Sequence, residues 1–181
     1  MPKFSFSSMV LSVAAAIALA GCSPTYNWRD YTSPDAPYRV MFPAKPASFT
    51  RPVDLGNIKV DMTMTAAEVE NTIFAVGTAK VPDPQQAQAA LEAMEAAMVK
   101  NINGTVTSKK SSSVAVASGA TMAQSTSEEL DANGNVNGAP MRLIGHFEAR
   151  DKRVYQVVVM GKTKSVNQEQ AEQFLSSFKL L

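Results

Sequence analysis

The sequence predicts one α+β domain: a mainly antiparallel β-sheet flanked by helices, one inserted mid-chain and one near the end. Three observations carry this. Residues 58–65 alternate strictly between apolar and polar side chains. Residues 85–101 are a run of Ala, Gln, Glu and Met with apolar positions at helical spacing. Much of the rest is short strand-like runs broken by Gly, Pro, Asn and Asp. At 181 residues, 45% hydrophobic and 18% charged, the chain suits one ordinary domain that buries a core without disulfides or a structural metal.

The expected organisation has three parts. Residues 1–21 read as a signal peptide: Lys3 gives a positive start, an apolar stretch runs to Leu19, and Ala20-Gly21-Cys22 closes it. That stretch is short and weakly apolar for a membrane-spanning helix. Residues 22–37 read as a tether, with Pro24, Pro34 and Pro37 among polar residues and with Tyr26, Trp28 and Tyr31 interspersed. Those aromatics are expected to pack back on the domain or to lie in a poorly ordered strap, with the lipid headgroups as the alternative. Residues 38–181 form the single globular domain.

Within that domain, Tyr38-Arg39-Val40-Met41-Phe42 alternates as a strand, stopped by Pro43 and Pro46. Ile58, Val60, Met62 and Met64 give the next strand one buried face. Glu70-Asn71 turns into its hairpin partner, 72–79. After Pro82 and Pro84, Ala87, Leu91, Met94 and Met98 make one stripe of a core-facing helix that Asn103-Gly104 ends. Segments 105–116 and 121–130 are strand-like but rich in Ser and Thr, so their register is weakly specified. Asp131-Ala132-Asn133-Gly134 reads as a turn. Residues 141–149 and 153–160 form a hairpin around Asp151-Lys152, and Val157-Val158-Val159, apolar on both faces, marks a central strand. A helix over 167–177 follows, capped by Asn167 or Ser165, with Ala171, Phe174, Leu175 and Phe178 on its apolar side.

Composition excludes several functions. Removing residues 1–21 takes away Lys3 and leaves sixteen basic and sixteen acidic side chains, so the excess of cations that nucleic-acid binding needs is missing. The one cysteine, Cys22, cannot form an internal disulfide. His146 is the only histidine, no serine lies in a Gly-x-Ser-x-Gly elbow, and His146 shares a strand face with Arg142, Ile144, Glu148 and Arg150. It reads as an ordinary sheet-surface histidine and the chain as a non-enzyme. Asp131, Asn133, Asn135 and Asn137 are spaced like calcium ligands, but Val136 sits at the sixth position and only one carboxylate is present, so a hairpin loop accounts for them better. Glu128-Glu129 reads as a solvated pair rather than an acid/base couple. Met62, Met64, Met94 and Met98 fall on core stripes, where Met fills gaps, and no metal or other cofactor is expected.

Leu19-Ala20-Gly21-Cys22 resembles the processing box of bacterial lipoproteins. The resemblance implies that a signal peptidase reads Leu19, Ala20 and Gly21, and that Cys22 carries the acyl chains that attach the protein to a membrane. Ser23 in place of Asp resembles the outer-membrane default, facing the periplasm. A second resemblance rests on Tyr38-Arg39-Val40-Met41-Phe42-Pro43 with Lys45-Pro46, on Arg153-Val154-Tyr155-Gln156-Val157, and on Phe174-Leu175-Ser176-Ser177-Phe178. In that order they resemble the PsbP/DcrB-like superfamily over about residues 38–181. This implies an α/β/α sandwich and a non-catalytic protein that assists or binds other proteins. The expected function is therefore a membrane-anchored interaction or assembly module with an envelope protein as partner. The alternative is a carrier or sensor of a small apolar ligand or lipid. The discriminating feature is a gap between the Leu91/Met94/Met98 stripe and the sheet: a filled core favours the interaction module, an open one the carrier.

Overall fold

Two β-meanders joined through their last strands make the main sheet. The fold is seen in a computed structural model that describes residues 24–118 and 121–181, with the side chains of 116–118 and 121–123 outside the description. Leu19, Ala20, Gly21 and Cys22 also lie outside the described residues. One meander comprises β3 (Ala47–Leu55), β4 (Ile58–Val69) and β5 (Thr72–Lys80). The other comprises β6 (Thr105–Ser118), β7 (Thr121–Val136), β8 (Ala139–Arg150) and β9 (Arg153–Lys162). All neighbours are antiparallel, and the order is β3-β4-β5-β9-β8-β7-β6. β9 is thus the middle strand of seven. Its Val157, Val158 and Val159 are buried on both sides, as a central strand requires.

The two faces are covered differently. On one lies α1 (Ala87–Asn101), preceded by a 3₁₀ turn at Pro84–Gln86. Asp83 starts the turn, its carboxylate accepting from Gln85 N at 2.8 Å. Ala87, Ala90, Leu91 and Met94 pack there with Val60, Met62, Ala75, Leu143, Phe147 and Val158. The opposite face holds α2 (Gln168–Ser177) and a small sheet of β1 (Arg29–Thr32), β2 (Tyr38–Phe42) and β10 (Lys179–Leu180), in the order β1-β2-β10. Asn167 caps α2, its Oδ1 accepting from Gln170 N at 3.2 Å. Tyr38, Val40, Phe42, Ala171 and Phe174 bury against Phe74, Val76, Tyr155, Val157 and Val159. Aromatic edges lock this second core: the Phe42–Phe174 and Phe74–Phe174 centroids are 5.3 and 5.5 Å apart.

Four features differ from the reading of the sequence. Part of the expected tether, 22–37, is folded: β1 pairs with β2, and Tyr26 and Trp28 set their rings against Phe74. The aromatics of that stretch supply the apolar area that holds it. β3 went unread because Pro52 sits inside it; as an edge strand β3 can spare the lost donor. The two-residue β10 is too short to leave a periodicity. The turn expected at 131–134 is instead continuous β7, which bends back only at Asn137-Gly138, both with positive φ. Gly134 is required for another reason. A Cβ there would collide with the carbonyl oxygen of Ile102, where the end of α1 rests on β7 and Asn135 N donates to Ile102 O at 2.8 Å. Close packing and turn formation both select glycine, and sequence alone does not separate them.

Candidate functional site: an apolar groove beside α1

α1 starts at the end of the sheet where β5 finishes and runs back over β8, β9 and β3. Its first half is held down tightly, with Leu91 fully buried and Ala93 meeting the β3–β4 turn at Gly56. Its second half leaves the sheet surface partly open. The groove formed there has a volume of about 410 Å³. Its helix wall is Met94, Ala97, Met98 and Asn101, and its sheet wall includes Phe49, Met62, Met64, Ile73, Val158 and Met160. The stripe read as core thus divides: Ala87, Leu91 and Met94 are buried, whereas Met98 is half-buried and lines the opening. Flexible thioethers on both walls let such a groove adapt its shape.

Gln156 lies in the floor, with Gly77 beside it. They face each other across β5 and β9, and Met64 pairs with Gly77 on the far side. A Cβ on Gly77 would stand 2.7 Å from both Gln156 Cγ and Met64 Sδ, so the missing side chain is what lets Gln156 lie across the strand. Gln156 is only 4% exposed, yet its Nε2 donates to the sulfur of Met64 at 3.5 Å, a weak acceptor. A buried amide donor with so poor a partner is a polar handle inside an apolar cleft.

The chemistry-bearing residues singled out in the sequence lie elsewhere. His146 is on the α2 side, with Nε2 3.3 Å from Glu148 Oε2, and Ser125 Oγ donates to Glu148 Oε1 at 2.8 Å. The carboxylate therefore stands between serine and histidine, whereas a nucleophilic triad needs histidine in the middle. Burial pushes the Glu148 carboxyl up, but the hydrogen bonds of His146 and Ser125 outweigh it and hold it below the usual carboxylate range. Asp131 is taken by Arg142 through contacts of 2.6 and 3.2 Å, which leaves a calcium-type loop without its one carboxylate. Among the described residues no cluster of three or more His, Cys, Asp or Glu is placed to hold a metal ion.

Glu128 corrects another expectation. Rather than being solvated, it is 6% exposed and faces Glu95 of α1, with Lys109 of β6 between them. Lys109 Nζ lies 2.9 Å from Glu95 Oε2 and 3.0 Å from Glu128 Oε2. Burial and the facing Glu128 raise the Glu95 carboxyl, against the pull of Lys109. Hydrogen bonding from Glu95, and then Lys109, lowers Glu128 despite its burial. One proton is thus favoured on the Glu95 side of the pair. The cluster ties the groove's helix to the β6–β7 hairpin. Its missed signal was Glu95, which falls next to the apolar stripe of a helix.

No family model matches the chain, and no curated protein is significantly similar to it. Among the described residues no helix is long and apolar enough to cross a membrane.

Proposed function

We propose that the protein is a lipid-anchored, non-enzymatic carrier or sensor of the bacterial cell envelope that holds a small apolar ligand between α1 and the sheet. The observation that carries this reading is the open groove, with the underemployed Gln156 amide in its floor. Attachment through acyl chains on Cys22, after cleavage that reads Leu19, Ala20 and Gly21, rests on the processing box and favours the outer membrane facing the periplasm. Two or more acyl chains make such an anchor effectively permanent. We also assign the fold to the PsbP/DcrB-like type; the placement of α1 and α2 on opposite faces of an antiparallel sheet supports it.

Native mass spectrometry of the full chain released from lipid nanodiscs tests the carrier. The expected result is a bound small molecule that Ala97→Trp, a bulky change at an exposed position on the groove wall, removes without lowering the melting temperature. An empty wild-type protein overturns the reading. Cys22→Ala is expected to leave unprocessed, unacylated precursor; a normally processed soluble variant overturns the anchor. The second reading, an interaction or assembly module with an envelope protein, is favoured by β6, an edge strand exposed throughout residues 105–115. Recovery of one protein in near-equal amount after crosslinking in cells, with an empty groove, would establish it instead.

A further inference from the structure

Two charged residues, Arg51 and Asp54, border the groove's apolar walls, and only Asp54 has an ion partner among the described residues. Along β3, Phe49, Arg51, Val53 and Leu55 share one side of the strand and line the groove; Asp54 also borders it, but its carboxylate pairs with Lys59 at 4.0 Å. Arg51 makes no ion pair among the described residues; its guanidinium lies 6.0 Å from the centroid of the Phe49 ring. A lone cation on the rim of an apolar cleft complements a ligand with one anionic head and an apolar body.

We propose that the groove holds one long-chain fatty acid, with the carboxylate at Arg51 and the chain running over Met64 and Met98 to Ile73 and Met160. This deepens, and rests on, the carrier reading above. Dimensions fit one chain. At about 30 Å³ for a water-sized group, the groove's 410 Å³ takes on the order of fourteen such groups, most of a long chain, and the rest emerges at the exposed Ile73 end. Arg51 pairs opposite Met62 and Ile73 opposite Glu68, a separation of roughly 20 Å along β4.

The two ends of the groove also differ in position. Ile73, at the tail end, is the neighbour in β5 of Phe74, on which Tyr26 and Trp28 pack. Tyr26 Oη further donates to Glu70 Oε2 at 3.3 Å, beside the β4–β5 turn. Four residue-to-residue steps of chain lead from Cys22 to Tyr26, at most about 14 Å. An anchored protein therefore turns the Ile73 end toward the bilayer and the Arg51 end away from it. A fatty acid drawn upward from the bilayer moves head first and reaches Arg51 without reversing.

The test uses full-length acylated protein in phosphatidylcholine vesicles with diazirine-bearing palmitic acid, the matching fatty alcohol and the matching lysophosphatidic acid. Labelled peptides are mapped by mass spectrometry. The expected result is labelling around Ile73, Met98 and Met160 that is about tenfold stronger for the acid than for the alcohol. Arg51→Gln should erase that preference while alcohol labelling persists, and Ala97→Trp should abolish both. Equal labelling by acid and alcohol, removed by Ala97→Trp, overturns the fatty-acid assignment and leaves the carrier intact. Preference for the lysophospholipid overturns the carboxylate head. No groove labelling by any probe overturns both readings.

Discussion

At the scale of single residues, the best-defined electrostatic feature is the Glu95–Lys109–Glu128 cluster, where two nearly buried carboxylates share one ammonium group. An acid whose folded pKa lies above its unfolded one stabilises the fold in its protonated form. Glu95 is such an acid, so its contribution is present at low pH and lost as pH rises through its folded value. Glu128 is lowered, so its contribution is present above its unfolded pKa and lost as pH falls through the folded one. Glu95→Gln is therefore expected to stabilise the protein at neutral pH, and the advantage should shrink as acid protonates the wild-type carboxyl. Urea unfolding of both proteins across the acid range measures it. A gain that grows toward low pH would contradict the assignment. The sequence hid this cluster because Glu95 and Glu128 lie on elements that meet only in the folded chain. His146, conspicuous as the only histidine, was read correctly as a member of the face it shares with Glu148.

At the scale of elements, periodicity was informative wherever one face of an element is buried and the other wet. The alternation of 58–65 lies within β4, the Val157–Val159 run within the central strand, and both helices start and stop within a few residues of their expected bounds. It failed for elements without such contrast. β3 is exposed along nearly its whole length and β1 is four residues long. The groove was half legible: its helix wall follows from the spacing of Met94 and Met98, but the opening depends on how far the end of α1 stands from β4 and β5. Gly134 controls that placement. Gly134→Ala drives a methyl group into the Ile102 carbonyl and should cost about 3 kcal/mol. Denaturant unfolding checks the loss, and a neutral substitution would show that the α1–β7 junction is loose.

At the scale of the whole molecule, pairing in the main sheet is local within each meander and distant only where β5 meets β9, as in Thr72 with Gly161. Closing that junction orders some ninety intervening residues and completes both cores, since Val158 faces α1 while Val157 and Val159 face α2. Amide exchange is expected to be slowest at Val76 and Val157–Val159 and fastest at 29–32 and along the exposed β6. Mass-resolved hydrogen exchange reads this directly, and protection of β1 equal to that of β9 would contradict it. The antiparallel sheet and its two helices were anticipated by the sequence; the small sheet built from the first and last strands was not, because neither strand is long enough to announce itself. That small sheet has a mechanical consequence. β1 and β2 are antiparallel, and the amino-terminal end of β1 lies beside the carboxy-terminal end of β2, where Asn27 N donates to Pro43 O. A pull from the amino-terminal side loads these hydrogen bonds one after another, as a zip is opened, instead of all together. Residues 24–32 would pay out roughly 30 Å of slack before the load reached β5 and β9, so the domain carries a built-in shock absorber between its amino-terminal side and its core.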